Sequence, residues 1–408
     1  MKTTIFKCLP LLLLAACYEP EPYVAAADDD KSSENAGASS QIGTVFPVNA
    51  KKQICNPSVS QDPENYPASM LWLNFSGTLE VTAPDTIYNV TSTKAKKVVQ
   101  HDRLTISDTS GNVRWYLMRD TDAGDCQFQD PEWSTHPNFI ASLRAYDKDG
   151  SKACDLGNLG YGIISVRISD KKRYVFYAKD KSEFATPHIW VDPAVTEADT
   201  SKKDTTLEGF FGTKNVRLVF VNNKQDGIVF RDFANGGKEI ELNPPTDAKG
   251  KPLTGKTIDS PLISPDGKFI VYNVVDKADE TIWDAYIQEL SKNSTPIKIE
   301  KEAGMMSAPA QPHWFKFEDR LFVVWAEFPP ESQMLNNNDF TNESIQDGSA
   351  GRTVMREIRL APGAASDMAM EWVGDIREIS SVPMTGGRSP DSKFLATGTR
   401  FGFLIELP

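Results

Sequence analysis

The sequence has few cysteines and histidines and no cluster of basic residues. Its 408 residues include 5 Cys and 4 His, and no Cys/His spacing resembles a zinc site. The 44 Lys and Arg are outnumbered by 56 Asp and Glu, which gives a formal charge of −12. Because nucleic acids and anionic membranes attract clustered basic residues, this composition argues against both as main partners.

Signatures of common catalytic machinery are also missing. The sequence contains no Gly-x-Ser-x-Gly elbow, no phosphate-binding loop and no dinucleotide fingerprint. A glycosidase would need two carboxylates about 5–10 Å apart, and the 56 acidic residues single out no such pair. We therefore expect no cofactor and no metal, and the sequence nominates no catalytic residue.

Long apolar runs are absent beyond the N-terminus, where the first seventeen residues have the pattern of a processing signal. Lys2 and Lys7 precede an apolar stretch that is far too short to span a bilayer as a helix. The stretch ends in Leu14-Ala15-Ala16-Cys17, which resembles the bacterial lipobox, in which cleavage precedes a lipid-modified cysteine. The alternative is an ordinary signal peptide with a stray cysteine. Because Tyr18 follows, the resemblance implies an outer-membrane lipoprotein facing the periplasm or the cell surface, anchored through Cys17.

The chain divides into three parts by composition. Residues 1–16 form the predicted signal peptide. Residues 17–41 are rich in Pro, Ala, Ser and Asp and have almost nothing to bury, which predicts a flexible acidic tether. The rest, 42–408, is ample for a packed core, since the chain is 40% hydrophobic and 10% aromatic. We expect this part to be one domain and the protein to be a monomer.

A short motif of two apolar runs around a Ser-Pro-Asp turn recurs at 260–273 and 386–399. Comparable apolar strands behind polar turns are 42 to 73 residues apart, at Val113, Tyr174, Val216, Phe269, Leu321 and Phe394. This spacing is near the about 40–50 residues of one four-stranded propeller blade. Six units fit, so the sequence predicts an all-β fold, a β-propeller with six four-stranded blades.

The motifs resemble the TolB-type, WD40-like propeller repeat. Pro312-His313-Trp314 supplies its Pro-x-Trp element and Ser264-Pro265-Asp266-Gly267 its turn. The chain ends directly after a third strand, so a closed ring needs an outer strand from the N-terminal segment, either 43–49 or 71–83. The resemblance implies the fold, which hosts many activities.

Three cysteines follow Cys17, and they allow three disulfide pairings. We favour Cys126–Cys154, because unit one of the repeat would place Cys126 in the loop after its second strand and Cys154 in its fourth strand. The fate of Cys55 stays open. The segment 147–155, DKDGSKACD, also resembles a calcium loop, but Asp-Gly is the expected turn of a hairpin.

Three histidines lie beside a proline and near an aromatic residue. The candidate binding residues from this pattern are His136, His188, Trp190, His313 and Trp314. One interpretation is a polar and aromatic lining of the propeller mouth, suited to a peptide or a sugar. The other, which we favour, is that the tryptophan packs between blades and histidine fills a variable position.

A polar insertion at 328–353 is the largest departure from the repeat. It contains Asn336, Asn337 and Asn338 and would overhang one mouth of the ring. We expect a non-catalytic binding or scaffold module for another envelope protein or a glycan. One alternative is a surface glycan-processing hydrolase or lyase with carboxylates at the propeller mouth, and another is a purely structural surface protein.

Overall fold

The computed structural model describes residues 44–48, 54–74, 101–151, 154, 156–195, 204–278, 283–301, 309–328, 351–361, 368–398 and 402–407. The predicted signal peptide, the lipidation site at Cys17, the tether, and Asn336, Asn337 and Asn338 lie outside the described residues. Within the described part of the chain, no helix is long and apolar enough to cross a membrane.

The strands of the first three blades follow one another along the chain. The N-terminal strand β1 spans Thr44–Pro47. Blade 1 contains β2 (Ile54–Val59), β3 (Ser69–Asn74), β4 (Arg103–Asp108) and β5 (Val113–Met118). Blade 2 contains β6 (Asp125–Trp133), β7 (Phe139–Asp147), β8 (Leu159–Arg167) and β9 (Arg173–Lys181). Blade 3 contains β10 (His188–Val191), a short helix α1 (Leu207–Phe211), β11 (Val216–Val221), β12 (Ile228–Asp232) and β13 (Glu239–Glu241).

The last three blades continue in the same order. Blade 4 contains β14 (Lys256–Ile263), β15 (Phe269–Asp276), β16 (Trp283–Glu289) and β17 (Ile297–Lys298). Blade 5 contains β18 (Ala310–Phe317), β19 (Arg320–Glu327), β20 (Arg352–Ala361) and β21 (Ala369–Ser380). Blade 6 contains β22 (Phe394–Thr397) and β23 (Phe403–Glu406). Each of the first five sheets is antiparallel, with its four strands in sequence order.

Blade 6 is completed from both ends of the chain. Strand β1 pairs antiparallel with β23, from Thr44 opposite Glu406 to Pro47 opposite Phe403. Of the two candidate segments, 43–49 therefore supplies the closing strand through Thr44–Pro47, whereas the other candidate begins in β3 of blade 1. On its inner side, β22 is hydrogen-bonded to the segment that precedes it. Arg388 and Leu395 form an isolated antiparallel bridge, and the Gly386 amide donates a hydrogen bond to the Ala396 carbonyl oxygen. This joining of the chain ends closes the ring and leaves no open sheet between blades 1 and 6.

The hydrophobic core lies between neighbouring blades. Five clusters of buried side chains each join two consecutive blades, including one between blades 6 and 1 that contains Leu404 and Trp72. A sixth cluster joins blades 5 and 6 and also includes Val275 and Trp283 of blade 4. Both faces of most blades are therefore buried, which explains predominantly apolar strands such as Phe269–Asp276, where seven of eight residues are buried. The all-β, six-bladed propeller predicted from the sequence is confirmed.

The blade boundaries predicted for the first two units are wrong. The strand from Val113 is the outermost strand of blade 1, and Phe139–Asp147 is the second strand of blade 2. Likewise Arg173–Lys181 is an outermost strand, and His188–Val191 is the innermost strand of blade 3. An apolar run, a turn and a second apolar run occur at every hairpin of a blade, so the pattern alone does not say which hairpin it marks.

Candidate functional site

In five of the six blades a residue with positive φ, followed by proline, lies in or directly before the innermost strand, and in four of them it forms a β-bulge. The positive-φ residues are Asn56, Asp130, Thr186, Ser260 and Gln311, with φ from 37° to 50°. The ladder register shifts at this point in β2, β6, β14 and β18. Proline has no amide hydrogen to give to a ladder, so it is accommodated at a bulge.

The residue after each of these prolines differs from blade to blade. In chain order these residues are Ser58, Glu132, His188, Leu262 and His313. All but Ser58 line one cavity of about 310 Å³. Because each of the six blades contributes to the lining, from Gln61 of blade 1 to Arg388 of blade 6, the cavity lies where the innermost strands converge. It is therefore the mouth of the propeller channel, the usual place for a ligand in this architecture.

Glu132 is the carboxyl group in the cavity wall. Its Oε1 accepts a hydrogen bond of 2.6 Å from the Ser58 hydroxyl, which in turn accepts one of 3.1 Å from the amide of Trp133. Protein atoms surround the side chain although part of it faces the cavity. This burial raises the pKa of Glu132 to about 8, opposed by the hydrogen bond from Ser58. At neutral pH the group is largely a neutral acid, able to donate a proton.

Two further carboxyl groups lie deeper on the innermost strands. Asp130 Oδ1 accepts a 3.0 Å hydrogen bond from Asn56 Nδ2, and its pKa is raised to about 8, first by burial and then by the negative charge of Asp259. Asp259 is 2% exposed, and burial raises its pKa to about 6. Asp130, Glu132 and Asp259 are thus three acids on the innermost strands β6 and β14 whose pKa values are raised. Perturbed pKa values of this kind often mark functional sites.

His188 and His313 face the same cavity. Both are buried, His188 Nδ1 accepts a 3.0 Å hydrogen bond from the Ile263 amide, and His313 Nδ1 lies 2.9 Å from the Gln311 carbonyl oxygen. Burial lowers the pKa of His188 to about 3 and that of His313 to about 4. Both imidazoles are neutral at physiological pH and present polar, uncharged edges.

His136 is not brought to this cavity. It lies in the turn between β6 and β7, where Nε2 is 2.8 Å from the Val195 carbonyl oxygen and Nδ1 accepts a 3.2 Å hydrogen bond from the Asn138 amide. Burial lowers its pKa. The three Pro-flanked histidines therefore divide into two at the channel mouth and one that holds a turn.

Trp190 and Trp314 pack between blades, as the second interpretation of the sequence pattern predicted. Trp190 is 5% exposed between blades 3 and 4, and its Nε1 donates a 2.9 Å hydrogen bond to the Pro265 carbonyl. Trp314 likewise donates to the Leu262 carbonyl at 2.9 Å and packs between blades 4 and 5. Trp314 also lines the cavity together with Trp133, so one ring of the predicted pair contributes to the site.

Two cations at the mouth are not apparent from the sequence pattern. Lys316 lies on β18 and Arg388 at the blade 6 position where Gly386-Gly387 replaces the proline bulge. The Arg388 guanidinium lies 4.2 Å from the centre of the Phe315 ring, and Nη2 donates to the backbone oxygen and hydroxyl of Ser392, each at 3.1 Å. The degenerate bulge of blade 6 hides this residue from a search for Pro-x-Trp.

The favoured cysteine pair is bonded in the structure. Cys126 and Cys154 form a disulfide with Cα atoms 5.3 Å apart, although Cys126 lies in the innermost strand of blade 2 and not in the predicted loop. Asp147 lies beside this disulfide, but both sulfurs are committed to each other. Its Oδ2 instead accepts hydrogen bonds from the Cys154 amide at 2.6 Å and the Ser151 hydroxyl at 3.1 Å. These contacts agree with a structural turn.

Comparison with known proteins finds distant structural similarity only. No family model matches the sequence, and a search of curated proteins found no match. Among solved structures, a thermostable family-43 glycoside hydrolase is 13% identical with a TM-score of 0.39, over 84% of this chain and 98% of that one. A GH43_1 enzyme from Xanthomonas citri complexed with xylose is 10% identical, with a TM-score of 0.34 over 80% and 93% of the two chains.

A further solved structure is the WD40 domain of SCAP from fission yeast, at 10% identity and a TM-score of 0.28 over 89% and 98% of the chains. At these identities and TM-scores the similarities carry no argument about this chain. The six sheets in a closed ring define the class, a six-bladed β-propeller, and the residues of the cavity must carry the argument about function.

Proposed function

We propose that the protein is a glycan-processing enzyme, a hydrolase or a lyase, that works at the channel mouth. Glu132 carries the proposal, because a carboxyl group in a cavity wall with a pKa raised to about 8 has the property required of a general acid at neutral pH. In this role Glu132 protonates the oxygen of the leaving sugar. Of the three functions considered from the sequence, this alternative has the most specific support.

A glycosidase also needs a group that stays ionised or activates water. Of the two deeper carboxyl groups, Asp259 meets the charge requirement better than Asp130, because its pKa is raised only to about 6 and it is largely ionised at pH 7. Neither of these carboxyl groups lines the cavity in this structure. Acids whose environments separate their pKa values can divide the acid and base roles. Trp314, which lines the cavity and is only partly buried, supplies apolar ring surface against which a sugar ring can stack.

The experiment is a reducing-end assay over a panel of polysaccharides with the wild type and Glu132→Gln. We expect the wild type to cleave at least one glycan and the variant to lose about 10²–10⁴-fold in rate while keeping its fold by circular dichroism. Glu371→Gln is the matched control, because Glu371 lies on the outermost strand of blade 5 and its side chain is 69% exposed. Equal rates for the wild type and Glu132→Gln would remove Glu132 from the mechanism.

A second function, non-catalytic glycan binding, is favoured by one observation. Glu132 is the one carboxyl side chain among the described residues that line the cavity, since Asp130 and Asp259 lie deeper. A site with one neutral acid, neutral histidines and aromatic rings is equally suited to hold a sugar without cleaving it. Retention of a glycan on an affinity gel by both the wild type and Glu132→Gln, with no product released by either, would favour this function.

We also propose that the protein acts in the bacterial cell envelope, anchored by a lipid on Cys17. The support is the lipobox-like Leu14-Ala15-Ala16-Cys17 behind a basic start and a short apolar stretch. Cells fed radiolabelled palmitate should incorporate label into the wild type and not into Cys17→Ala, and the variant should leave the membrane fraction. Normal membrane retention of the unlabelled variant would contradict this localisation.

A further inference from the structure

We propose that the cavity at the channel mouth binds the negatively charged group of an acidic sugar, with Arg388 and Lys316 as its counter-ions. This inference deepens the proposed function by naming the class of glycan, and the binding it describes can be measured without any cleavage. The shared chemistry is an anionic substituent on a sugar ring, either a carboxylate or a sulfate ester.

The charges around the cavity carry the argument. Its ionisable lining residues are Glu132, His188, His313, Lys316 and Arg388. Glu132 is largely protonated and both imidazoles are neutral at pH 7. Two positive charges therefore stand without a negative charge in the wall, on a chain whose formal charge is −12. A locally positive mouth on an acidic protein selects for an anion at that point.

Arg388 is held in place without an ion pair. Phe315 stacks under its guanidinium and Ser392 takes two of its hydrogen bonds, while Nη1 has only the weakly accepting sulfur of Met355 at 3.1 Å. The Nε atom is buried and has no hydrogen-bond partner. Burial lowers the pKa of Arg388 to about 10, so the group remains charged at neutral pH. A partly desolvated cation whose charge is left unpaired is available to a ligand.

Other arginines of the protein differ from Arg388, because their charge is paired with a carboxylate. Arg144 and Arg173 share the carboxylate of Asp125, and Arg352 pairs with Glu327 and Glu378. The carboxylate near Arg388 belongs to Asp391, but its Oδ1 accepts a 2.6 Å hydrogen bond from Ser389 and one of 3.2 Å from the Lys393 amide within its own turn. No described carboxylate lies within ion-pair distance of Arg388 or Lys316.

The shape of the site suits one sugar residue with a charged substituent. A volume of about 310 Å³ is at the small end of ligand pockets. Trp314 offers ring surface on β18, and Lys316 lies two residues further along the same strand. The sugar ring can therefore stack on the aromatic side while its anionic group reaches Arg388 and Lys316.

The test is equilibrium binding of glucuronate, galacturonate, glucose 6-sulfate and glucose by isothermal titration calorimetry. We expect at least one anionic sugar to bind at least tenfold more tightly than glucose, and the carboxylate and sulfate ligands show which anion is preferred. Arg388→Gln and Lys316→Ala should each weaken that binding about tenfold, and raising the salt concentration should weaken it further. Equal affinity for glucose and all three anionic sugars would overturn the proposal.

Matched variants separate a lost ligand contact from a damaged fold. Arg114→Gln and Lys249→Ala remove exposed cations away from the cavity and should bind as the wild type does. Because Arg388 also packs on Phe315, Arg388→Lys keeps the charge and should retain more binding than Arg388→Gln at matched melting temperature. Unchanged affinity in both Arg388→Gln and Lys316→Ala would defeat the assignment of these residues.

The outcome is independent of catalysis. Binding of an acidic sugar that persists in Glu132→Gln, with no cleavage by the wild type, would support this inference and contradict the proposed enzyme. Cleavage of a neutral glycan with no preference for acidic sugars would support the enzyme and contradict this inference.

Discussion

At the scale of single residues, one backbone position supplies different chemistry in each blade. The residue after the bulge proline is Glu132 in blade 2, His188 in blade 3 and His313 in blade 5. The repeated bulge fixes where the side chain sits, and the residue type then fixes whether it is an acid or a neutral donor. Burial at this position disfavours the ionised form of an acid, and it raises the pKa of Glu132 to about 8.

Glu132→Gln should stabilise the protein in a pH-dependent way. The folded-state pKa of Glu132 is about 8, above its usual value of 4.5, so between these values the folded protein holds more protons than the unfolded chain and stability falls as pH rises. Glutamine does not titrate, so the stability of the variant does not fall with pH for this reason. We expect it to be no more stable than the wild type at pH 4 and more stable by on the order of 1–2 kcal/mol at pH 8, a value reduced for solvent in the cavity.

Urea denaturation at pH 4, 6 and 8 measures this difference, with Glu371→Gln as the exposed control, whose stability relative to the wild type should change little with pH. A Glu132→Gln variant whose advantage over the wild type stays constant from pH 4 to 8 would show that Glu132 has an ordinary pKa.

Asp125→Asn should be strongly destabilising. The Asp125 carboxylate is 1% exposed and bonds both Arg144 at 2.8 Å and Arg173 at 2.5 Å, so it joins β6, β7 and β9 of one blade. Removing its charge leaves two partly buried arginines unpaired, which costs about 3–5 kcal/mol. Urea denaturation measures the loss. Asp284→Asn is the control, because its pair with the partly exposed Lys298 is worth at most about 1 kcal/mol, and equal losses in the two variants would refute the argument.

At the scale of elements, the sequence predicted strands, turns and the six-bladed fold better than it predicted where each blade begins and ends. Turns such as Ser264-Pro265-Asp266-Gly267 are local, since the Ser264 hydroxyl bonds to Asp266 and to the Phe269 amide within six residues, so they are readable in the sequence. The position of a strand within its blade cannot be predicted from local sequence, because every hairpin of a blade shows an apolar run, a turn and a second apolar run. A polar residue followed by proline occurs at the innermost strand, as in Asn56-Pro57 and Asp130-Pro131, but it also occurs in turns such as Ser264-Pro265, so this pair alone does not mark the innermost strand.

The same reasoning explains what was found and missed at the site. His188 and His313 were predicted because proline precedes them. Glu132 also follows proline, but it was one of 56 acidic residues, and its burial comes from six strands that converge from distant parts of the chain. Arg388 was missed because glycine replaces proline in its blade, and only the folded ring brings it beside Phe315.

Gly386→Ala should weaken the contact between blades 6 and 1. A Cβ at Gly386 would lie 2.3 Å from the Pro57 carbonyl oxygen and 2.7 Å from its carbon, and these backbone atoms of β2 cannot move aside easily. The amide of Val59 also bonds to the Gly386 carbonyl at 2.6 Å. We expect a loss of about 2–3 kcal/mol by urea denaturation.

Gly124→Ala is the matched control for this prediction. Its φ of +80° makes alanine strained, but nothing lies within 4 Å of the added Cβ, so the expected loss is about 1 kcal/mol. A smaller loss for Gly386→Ala than for Gly124→Ala would mean that the two blades separate readily at this point.

At the scale of the whole molecule, the ring is closed by its two chain ends. Strand β1 is the outermost strand of blade 6, while β2 begins blade 1 only a few residues later. The hydrophobic cluster between blades 6 and 1 contains Val48, Ile54 and Leu404, so the N-terminal segment serves both blades. Each blade packs on two neighbours, and loss of one contact exposes apolar faces on both sides of the gap.

Removing residues 1–49 should therefore open the ring, whereas removing residues 1–41 should not. The longer truncation deletes β1, which leaves β23 as an unpaired edge and uncovers apolar surface around Leu404. We expect a lower melting temperature, binding of the dye ANS and concentration-dependent aggregation by light scattering. The shorter truncation leaves β1 intact, so the truncated protein should have the same melting temperature as the full-length protein. If both truncated proteins melt and scatter alike, closure by β1 does not stabilise the propeller, and the six blades must hold together through the other five interfaces alone.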